Sequence, residues 1–316
     1  MSIRAPESVL WDSLRGALVT RALTIVADLG VPEALADGPM TVDDLAQEVG
    51  ADPETLHRLL RALASDEIFV EEEPGVFGHT PASEALLDPG WSAFAHLFGG
   101  VFYRALGELE PTGKTRFPEV FGADFWSWLA SHPEERAIFD RAMEQGKQSR
   151  VERLDGVDWR GDETVVDVGG GNGSLLVALL DQQPGLHGIV FDLPETVRDE
   201  QALGDRIEFV EGRFFESVPA GDVYLLSTIL HDWPDEQAAE ILRTIRAAAR
   251  PDSRLLLLEA VVPEGNEPGG GKWLDLLMLA LFEGRERNET QWRTLLAAGG
   301  FEPVNIEDGL IQARCR

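Results

Sequence analysis

The sequence predicts an α/β protein with a doubly wound, largely parallel sheet in its second half and a smaller helical, winged-helix-like domain in front. Three observations predict it. The β-branched run TVVDV at 164–168 leads into Gly169, Gly170, Gly171 and Gly173, and then into the apolar helical run LLVALL. A second strand-like run, HGIVFD, ends at Asp192, 23 residues after Gly169. Strand-length apolar runs then alternate with helical patterns to the end of the chain. Glycines at a strand-to-helix turn let the backbone approach a ligand where a Cβ would collide. A carboxylate ending the next parallel strand stands at the same crevice, where it can accept from two ribose hydroxyls. The stretch reads as a nucleoside site.

The glycines alone do not name the nucleoside. A dinucleotide pattern begun at Gly171 requires a third glycine where Leu176 stands, and begun at Gly169 it meets Ser174. A phosphate-binding loop fails at GGGK (269–272), with Asn266 in the first glycine's place and Trp273 after the lysine. NAD and S-adenosylmethionine (SAM) both stay open at this point, as does a tight turn with no ligand.

In chain order, residues 6–30 carry Val9, Leu10, Leu14, Ala17, Leu18, Ala22, Ile25, Val26 and Leu29 at helical spacing, a wide stripe that can face a partner chain as well as its own core. TVDDLAQEVG (41–50) and DPETLHRLLRALASDEIF (52–69) give two more helices, the first with Thr41 and Asp44 placed as a shortened capping box. FVEEEPGVFGHTP follows as a hairpin turning at Pro74-Gly75. Three helices and a hairpin make a winged helix. From about 91 to 150 the chain is helical and rich in aromatics, most of them expected in the core. Strands are expected at TVVDVG, HGIVFD, RIEFVEG, DVYLLST, SRLLLLEAVV, FEPVNIEDG and LIQARC, the last two as an antiparallel hairpin at one edge. The expected divisions are 1–95, 96–155 and 156–316.

Composition excludes several classes. Lys and Arg number 27 against 56 Asp and Glu, a formal charge of −29, with lysine only at 114, 147 and 272. Such a chain lacks the basic face that nucleic acid or an anionic membrane requires. The wing itself carries Glu71, Glu72 and Glu73, which would face phosphates unfavourably. The one cysteine, Cys315, provides neither a disulfide nor a cysteine metal site, and no apolar run reaches the ~18 residues of a membrane helix. The expectation is a cytoplasmic protein with no bound metal.

The fourth strand runs into HDWPDEQ, which places His231 on the ligand edge of the sheet. Glu259 ends the next strand and Glu286 lies in the loop GRERNE. A carboxylate accepting from one imidazole nitrogen fixes the tautomer and leaves the other nitrogen to take a proton. Solvated strand-end charges are the plainer alternative.

The ordered series VVDVGGGNGS, FDLPETV, EGRFFESVP, LHDWPDEQ, DLLMLALFEGRERNETQW and AAGGF resembles the small-molecule O-methyltransferases, the SAM-dependent enzymes of caffeate, acetylserotonin and bacterial polyketide type. The resemblance covers nearly the whole chain. It implies a Rossmann-like methyltransferase sheet and a winged-helix dimerisation domain. It also implies a homodimer and an aromatic small-molecule acceptor of secondary metabolism; in the apolar stripe at 9–29, Trp11 and Leu14 are the candidates for the interface side. It further implies that SAM is held by Asp167, Gly169, Gly170, Gly171, Asp192, Leu193, Gly212, Arg213, Phe214 and Ser227 and leaves as S-adenosylhomocysteine. His231 would be the general base, with Glu259 and Glu286 as its acidic partners. Met143, Asp232, Trp233, Asp275 and Met278 would line the acceptor. Two positions depart from the family pattern: Arg213 stands where an acidic residue reaches the adenine amine, and Ser227 where a lysine is usual. An arginine cannot accept from an amine. The resemblance also extends to relatives that bind SAM without transferring its methyl.

Overall fold

The computed structural model describes residues 5–194, 196 and 205–316. They fall into two compact units, one reaching Arg104 and including Arg141–Gln145, the other made of Ala105–Asp140 and Gly146–Arg316. Glu195 and Val197 of the FDLPETV motif, and the helix expected after it, lie outside the described residues, as does the start of the N-terminal segment.

In the first unit the helix Pro6–Asp28 opens with proline in its first turn, where a missing N–H costs nothing. It buries Ala22, Thr24, Val26 and Ala27 and leaves Val9, Leu10, Trp11, Leu14 and Leu18 exposed. The Thr24 hydroxyl donates to Ala95 O at 2.7 Å on the helix Pro89–Gly99, and a Cβ at Gly99 would collide with that same hydroxyl. This glycine is what lets the two helices approach. Thr41 caps the helix Val42–Val49 by accepting from the Asp44 N–H. The Asp44 carboxylate takes the Thr41 hydroxyl at 2.7 Å, and no return bond to the Thr41 N–H is formed as a full capping box requires. Asp is one methylene shorter than the Glu that makes that return bond.

The helix expected over 52–69 is Pro53–Ala64 only, capped by Asp52. Glu67 then adopts φ 61° and turns the chain into β2, Phe69–Glu73. β3 (Val76–His79) returns after Gly75 at φ 77°, and the short β1 (Met40–Thr41) pairs with β3 to give the order β1-β3-β2. A two-residue strand is too short to show a period, so β1 leaves no signal in the residue pattern.

The aromatics between 91 and 150 correct the expectation of a mostly buried set. Phe102, Phe117, Phe125 and Trp128 are buried, but Trp91, Phe98 and Tyr103 are exposed and the others are half-buried. Helical spacing identifies a face without saying what covers it.

The second unit holds a seven-stranded sheet in the order β6-β5-β4-β7-β8-β10-β9. The strands are β4 (Thr164–Val168), β5 (His187–Asp192), β6 (Ile207–Glu211), β7 (Val223–Ser227), β8 (Arg254–Leu258), β9 (Phe301–Glu307) and β10 (Leu310–Cys315). β4 to β8 are parallel, and β10 runs antiparallel to both β8 and β9. The order reverses between β4 and β7, which opens a crevice at their carboxyl ends. Alternate residues of the central strands serve opposite faces. Val166, Val168, Tyr224, Leu226, Leu255 and Leu257 pack with the helices Asp235–Ala248 and Glu289–Ala298. Val165, Leu225, Leu256 and Leu258 pack with the helix Ser174–Gln182. Each buried Leu or Val side chain contributes about 1.5–3 kcal/mol, so the rigid edge carrying the site rests on a core sealed on both faces.

Two expected elements differ. The strand SRLLLLEAVV ends at Leu258, because Glu259 turns to the site, and Val261 retains only an isolated bridge to Arg287. β6 and β7 are joined without a helix. Gly212–Asp222 descends the sheet as an irregular segment, with Phe214, Phe215 and Val218 packed against the core.

Candidate active site

The parallel register brings Val168 beside Phe191 and Ser227 beside Leu258, so Gly169, Asp192, Thr228 and Glu259 all follow at one edge. Gly169, Gly171 and Gly173 have φ of 74°, 59° and 78°, a region other residues enter only with strain. A Cβ on Gly170 would collide with the Asp167 carboxylate, and one on Gly169 with the Ile229 side chain. Gly169 requires glycine for both reasons, Gly170 for the close approach, and Gly171 and Gly173 for their backbone angles. Asp167 is buried, and its Oδ2 has no hydrogen-bond partner. Burial and then the Asp192 charge push this carboxyl up to about 7, against the pull of Arg150.

Both oxygens of Asp192 are engaged by the chain, with three of about four acceptor sites used. Its Oδ2 accepts the Gly171 N–H at 2.7 Å, and its Oδ1 accepts the Leu193 N–H and the Thr196 hydroxyl, both at 2.6 Å. Thr196 in turn accepts from Arg136 at 3.3 Å, and Arg136 is held by Asp140 at 2.9 Å. Gly212 donates its N–H to Asp192 O, and a Cβ there would meet the Phe191 ring. Arg213 is exposed, and Phe214 lies edge-on to Trp233 at 5.8 Å. Ser227 is half-buried at the end of β7. A partnerless buried carboxylate oxygen beside a glycine cradle fits a ligand bearing an ammonium group and ribose hydroxyls, as SAM does.

His231 sits in the 3₁₀ turn Leu230–Asp232 that follows β7. Its Nδ1 is 2.7 Å from Glu286 Oε1 and 3.9 Å from Glu259 Oε2, while Nε2 lies 3.4 Å from Asp232 Oδ1. All four residues are buried. The structure thus divides the two expected acidic partners. Glu286 binds the ring, whereas Glu259 Oε1 accepts the backbone N–H groups of Ile229 and Leu230 at 3.0 and 2.7 Å and holds the turn. Burial disfavours the imidazolium, but Asp232, Glu259 and Glu286 outweigh it and raise His231 to about 10. Burial likewise raises Asp232 to about 7, against the pull of His231. Donor atoms of His231, Glu259 and Glu286 lie within 4.8 Å of one another, a spacing that could gather a cation. The hydrogen bond from Nδ1 to Glu286 already occupies two of them.

The residues expected against the acceptor come from three separate segments of the chain. Asp275 and the buried Met278 share the helix Gly271–Phe282, and Asp275 Oδ1 accepts the Glu286 N–H at 2.7 Å, which seats the orienting carboxylate. Trp233 packs on Phe214 and Phe215. Met143 is half-buried in the first unit. Sequence reading missed Thr196, Gly284 and Arg287. A Cβ on Gly284 would collide with His231 O, and its neighbour Arg285 donates its N–H to that oxygen at 2.8 Å. Within GRERNE nothing local separates these from solvated charges.

Fold and site together combine a glycine-lined sheet edge with an oriented imidazole, and comparison with known proteins gives the class. Residues 103–302 match the O-methyltransferase domain and residues 11–89 the O-methyltransferase dimerisation domain. The phenazine O-methyltransferase PhzM of Lysobacter antibioticus is 41% identical over 93% of this chain and 91% of its own length. The crystal structure of LaPhzM superposes with a TM-score of 0.92 at 39% identity, covering 99% and 100% of the two chains. The O-methyltransferase NcsB1 of neocarzinostatin biosynthesis, solved with SAM and 2-hydroxy-5-methyl naphthoic acid, gives 0.82 at 31% identity over 94% and 96%.

The protein is therefore a SAM-dependent methyltransferase. It belongs to the O-methyltransferase family and carries that family's dimerisation domain, which makes it a homodimer. Among the described residues no helix is long and apolar enough to cross a membrane.

Proposed function

We propose that the enzyme methylates a hydroxyl of a flat aromatic secondary metabolite, a phenol or enol, with His231 Nε2 as general base. The observation that carries this is the 2.7 Å bond from Nδ1 to Glu286, which fixes the ring and leaves Nε2 for the acceptor. SAM, when bound, supplies a methyl group on an electron-poor sulfonium. The chain's own residues do the rest. Nε2 takes the hydroxyl proton as the oxygen forms its bond to the methyl carbon, and the carbon–sulfur bond breaks to leave a neutral thioether. The carboxylates of Asp232, Glu259 and Glu286 favour the imidazolium that forms once the hydroxyl proton has been taken. Alignment of oxygen, methyl and sulfur supplies much of the rate. An aromatic acceptor is supported by the hydroxynaphthoic acid bound to NcsB1 and by the phenazine in the name of PhzM.

Arg213 is assigned to the adenine edge and Met278 to the acceptor's face, where an adaptable thioether suits a planar ring. The interface is assigned to the exposed stripe, in which Trp11 is 62% and Leu14 73% accessible. A patch of that kind is one monomers avoid.

Incubation with methyl-labelled SAM and a panel of hydroxyphenazines and hydroxynaphthoic acids tests the proposal. Label in an aromatic ether together with S-adenosylhomocysteine is the expected result. Cofactor binding without either product would leave the sheet as a SAM scaffold. Trp11→Glu with Leu14→Glu should convert the dimer to a monomer in sedimentation, and an intact dimer would move the interface elsewhere.

A further inference from the structure

His231 is fixed by more than its ring partners, and the group on the far side of its turn is Arg287. This guanidinium is fully buried. Its Nη1 donates to Leu230 O at 2.9 Å and its Nη2 to Trp233 O at 2.8 Å, the carbonyls that flank His231 and Asp232. A longer bond of 3.3 Å reaches Arg285 O, and Nε donates to Asp235 Oδ1 at 2.8 Å. The guanidinium also lies over the Trp292 ring at 5.2 Å, and the Trp292 indole N–H is tied to Ala260 O just beyond β8.

The backbone of the turn is thus gripped from two sides. Glu259 takes its N–H groups, and Arg287, with the Arg285 N–H, takes its carbonyls. A single planar fork reaching two carbonyls three residues apart is something an ammonium cannot reproduce. Burying a guanidinium is costly unless its donors find acceptors, and here each of its three nitrogens does.

We propose that Arg287 is a positioning residue for the methyl transfer: its fork sets the carbonyls on either side of His231 and thereby the direction in which Nε2 points. The inference rests on His231 acting as the base. Only the second grip would be lost in Arg287→Lys, because the contacts of Glu286 and Glu259 remain.

The test uses the full-length dimer as Arg287→Lys, Arg287→Gln, His231→Ala and the Arg287→Lys/His231→Ala double variant. Turnover is measured on whichever hydroxynaphthoic acid or hydroxyphenazine of the panel reacts fastest, and SAM binding by calorimetry. Arg287→Lys should lower kcat by roughly 10–100-fold, as a misplacement of about 1 Å does, with KM and Kd for SAM changed by no more than about twofold. In the His231→Ala background the same change should cost nothing further, because a residue acting through His231 has nothing left to act on. An equal loss in both backgrounds, or full specific activity in Arg287→Lys well below its melting temperature, overturns the proposal.

An unchanged His231→Ala rate would remove the base assignment instead. Proton NMR of the Nδ1–H bonded to Glu286 reports on Arg287 without any acceptor. A shifted or lost low-field resonance in Arg287→Lys and Arg287→Gln is expected, and one identical to the parent's overturns the positioning role.

Discussion

The two halves of the sheet's carboxyl edge are built on opposite plans. At the ends of β4 and β5 the chain leaves space: three glycines at positive φ beside a buried Asp167 oxygen that has no partner among the described residues. Beyond β7 and β8 the polar groups converge inward on one imidazole, with Glu286 on the ring and Glu259 and Arg287 on its turn. A half that must admit a cofactor keeps its backbone clear of side chains. A half that must aim one nitrogen closes around it. The comparison assigns binding to the first and chemistry to the second, and each side of that division can be tested.

The largest expected effect is on the chemical side. His231→Ala should lower turnover by roughly 10²–10⁴ while SAM still binds, since the cofactor is assigned to the other half. Unchanged turnover would collapse the distinction. The acceptor-dependent rate of the parent should climb with pH towards about 10, because the imidazolium must first lose its proton, and in the variant only the climb set by the acceptor's own ionisation should remain. A flat parent profile would show that the buried carboxylates do not hold a proton on the ring.

Next comes Glu286→Gln, expected to reduce kcat by about 10–100-fold with SAM affinity preserved, since it weakens the orienting bond at Nδ1 without altering the cradle. Loss of SAM binding in this variant would show the halves to be one site.

On the binding side, Asp167→Asn should weaken SAM by about tenfold, one charge-assisted bond's worth. It should also remove a tightening of SAM affinity as pH rises through about 7, where Asp167 ionises. The apo enzyme should show the opposite trend in stability. Asp167 and Asp232 both have folded values above the ordinary carboxylate range, so their contribution is fully present below pH ~4. It is lost as pH rises to about 7, and that of His231 as pH rises on to about 10. A melting temperature that falls between pH 5 and 9, and falls less in Asp167→Asn, is the expected calorimetric result. A rise would reverse the assignment.

The smallest effect is expected at the adenine edge. Arg213→Asp should tighten SAM by about 0.5–1.5 kcal/mol for one added acceptor. Weaker binding would mean that the guanidinium already stacks on the base.

Much of this division was legible in the chain because its binding half is local. The glycines and Asp192 lie within one strand–helix–strand unit, and φ above zero leaves few residues to choose from. The fold was legible for a similar reason, since strand period and glycine turns are properties of short segments. His231 could be placed at the edge from the end of its strand. Glu259 and Glu286 could be named as its candidate partners, but which of them holds the ring could not, because Glu286 is 55 residues away and looks like any charge in GRERNE.

Sequence by itself determined the sheet, the nucleoside turn and the winged helix, since each follows from backbone sterics and hydrophobic period over a few residues. Tertiary structure alone decided that Glu286 holds the ring while Glu259 holds the turn, that Gly284 must lack a side chain, and that Arg287 is buried. Those outcomes depend on which polar groups face one another once water is excluded. A buried charge is tolerated only where distant segments deliver its partners.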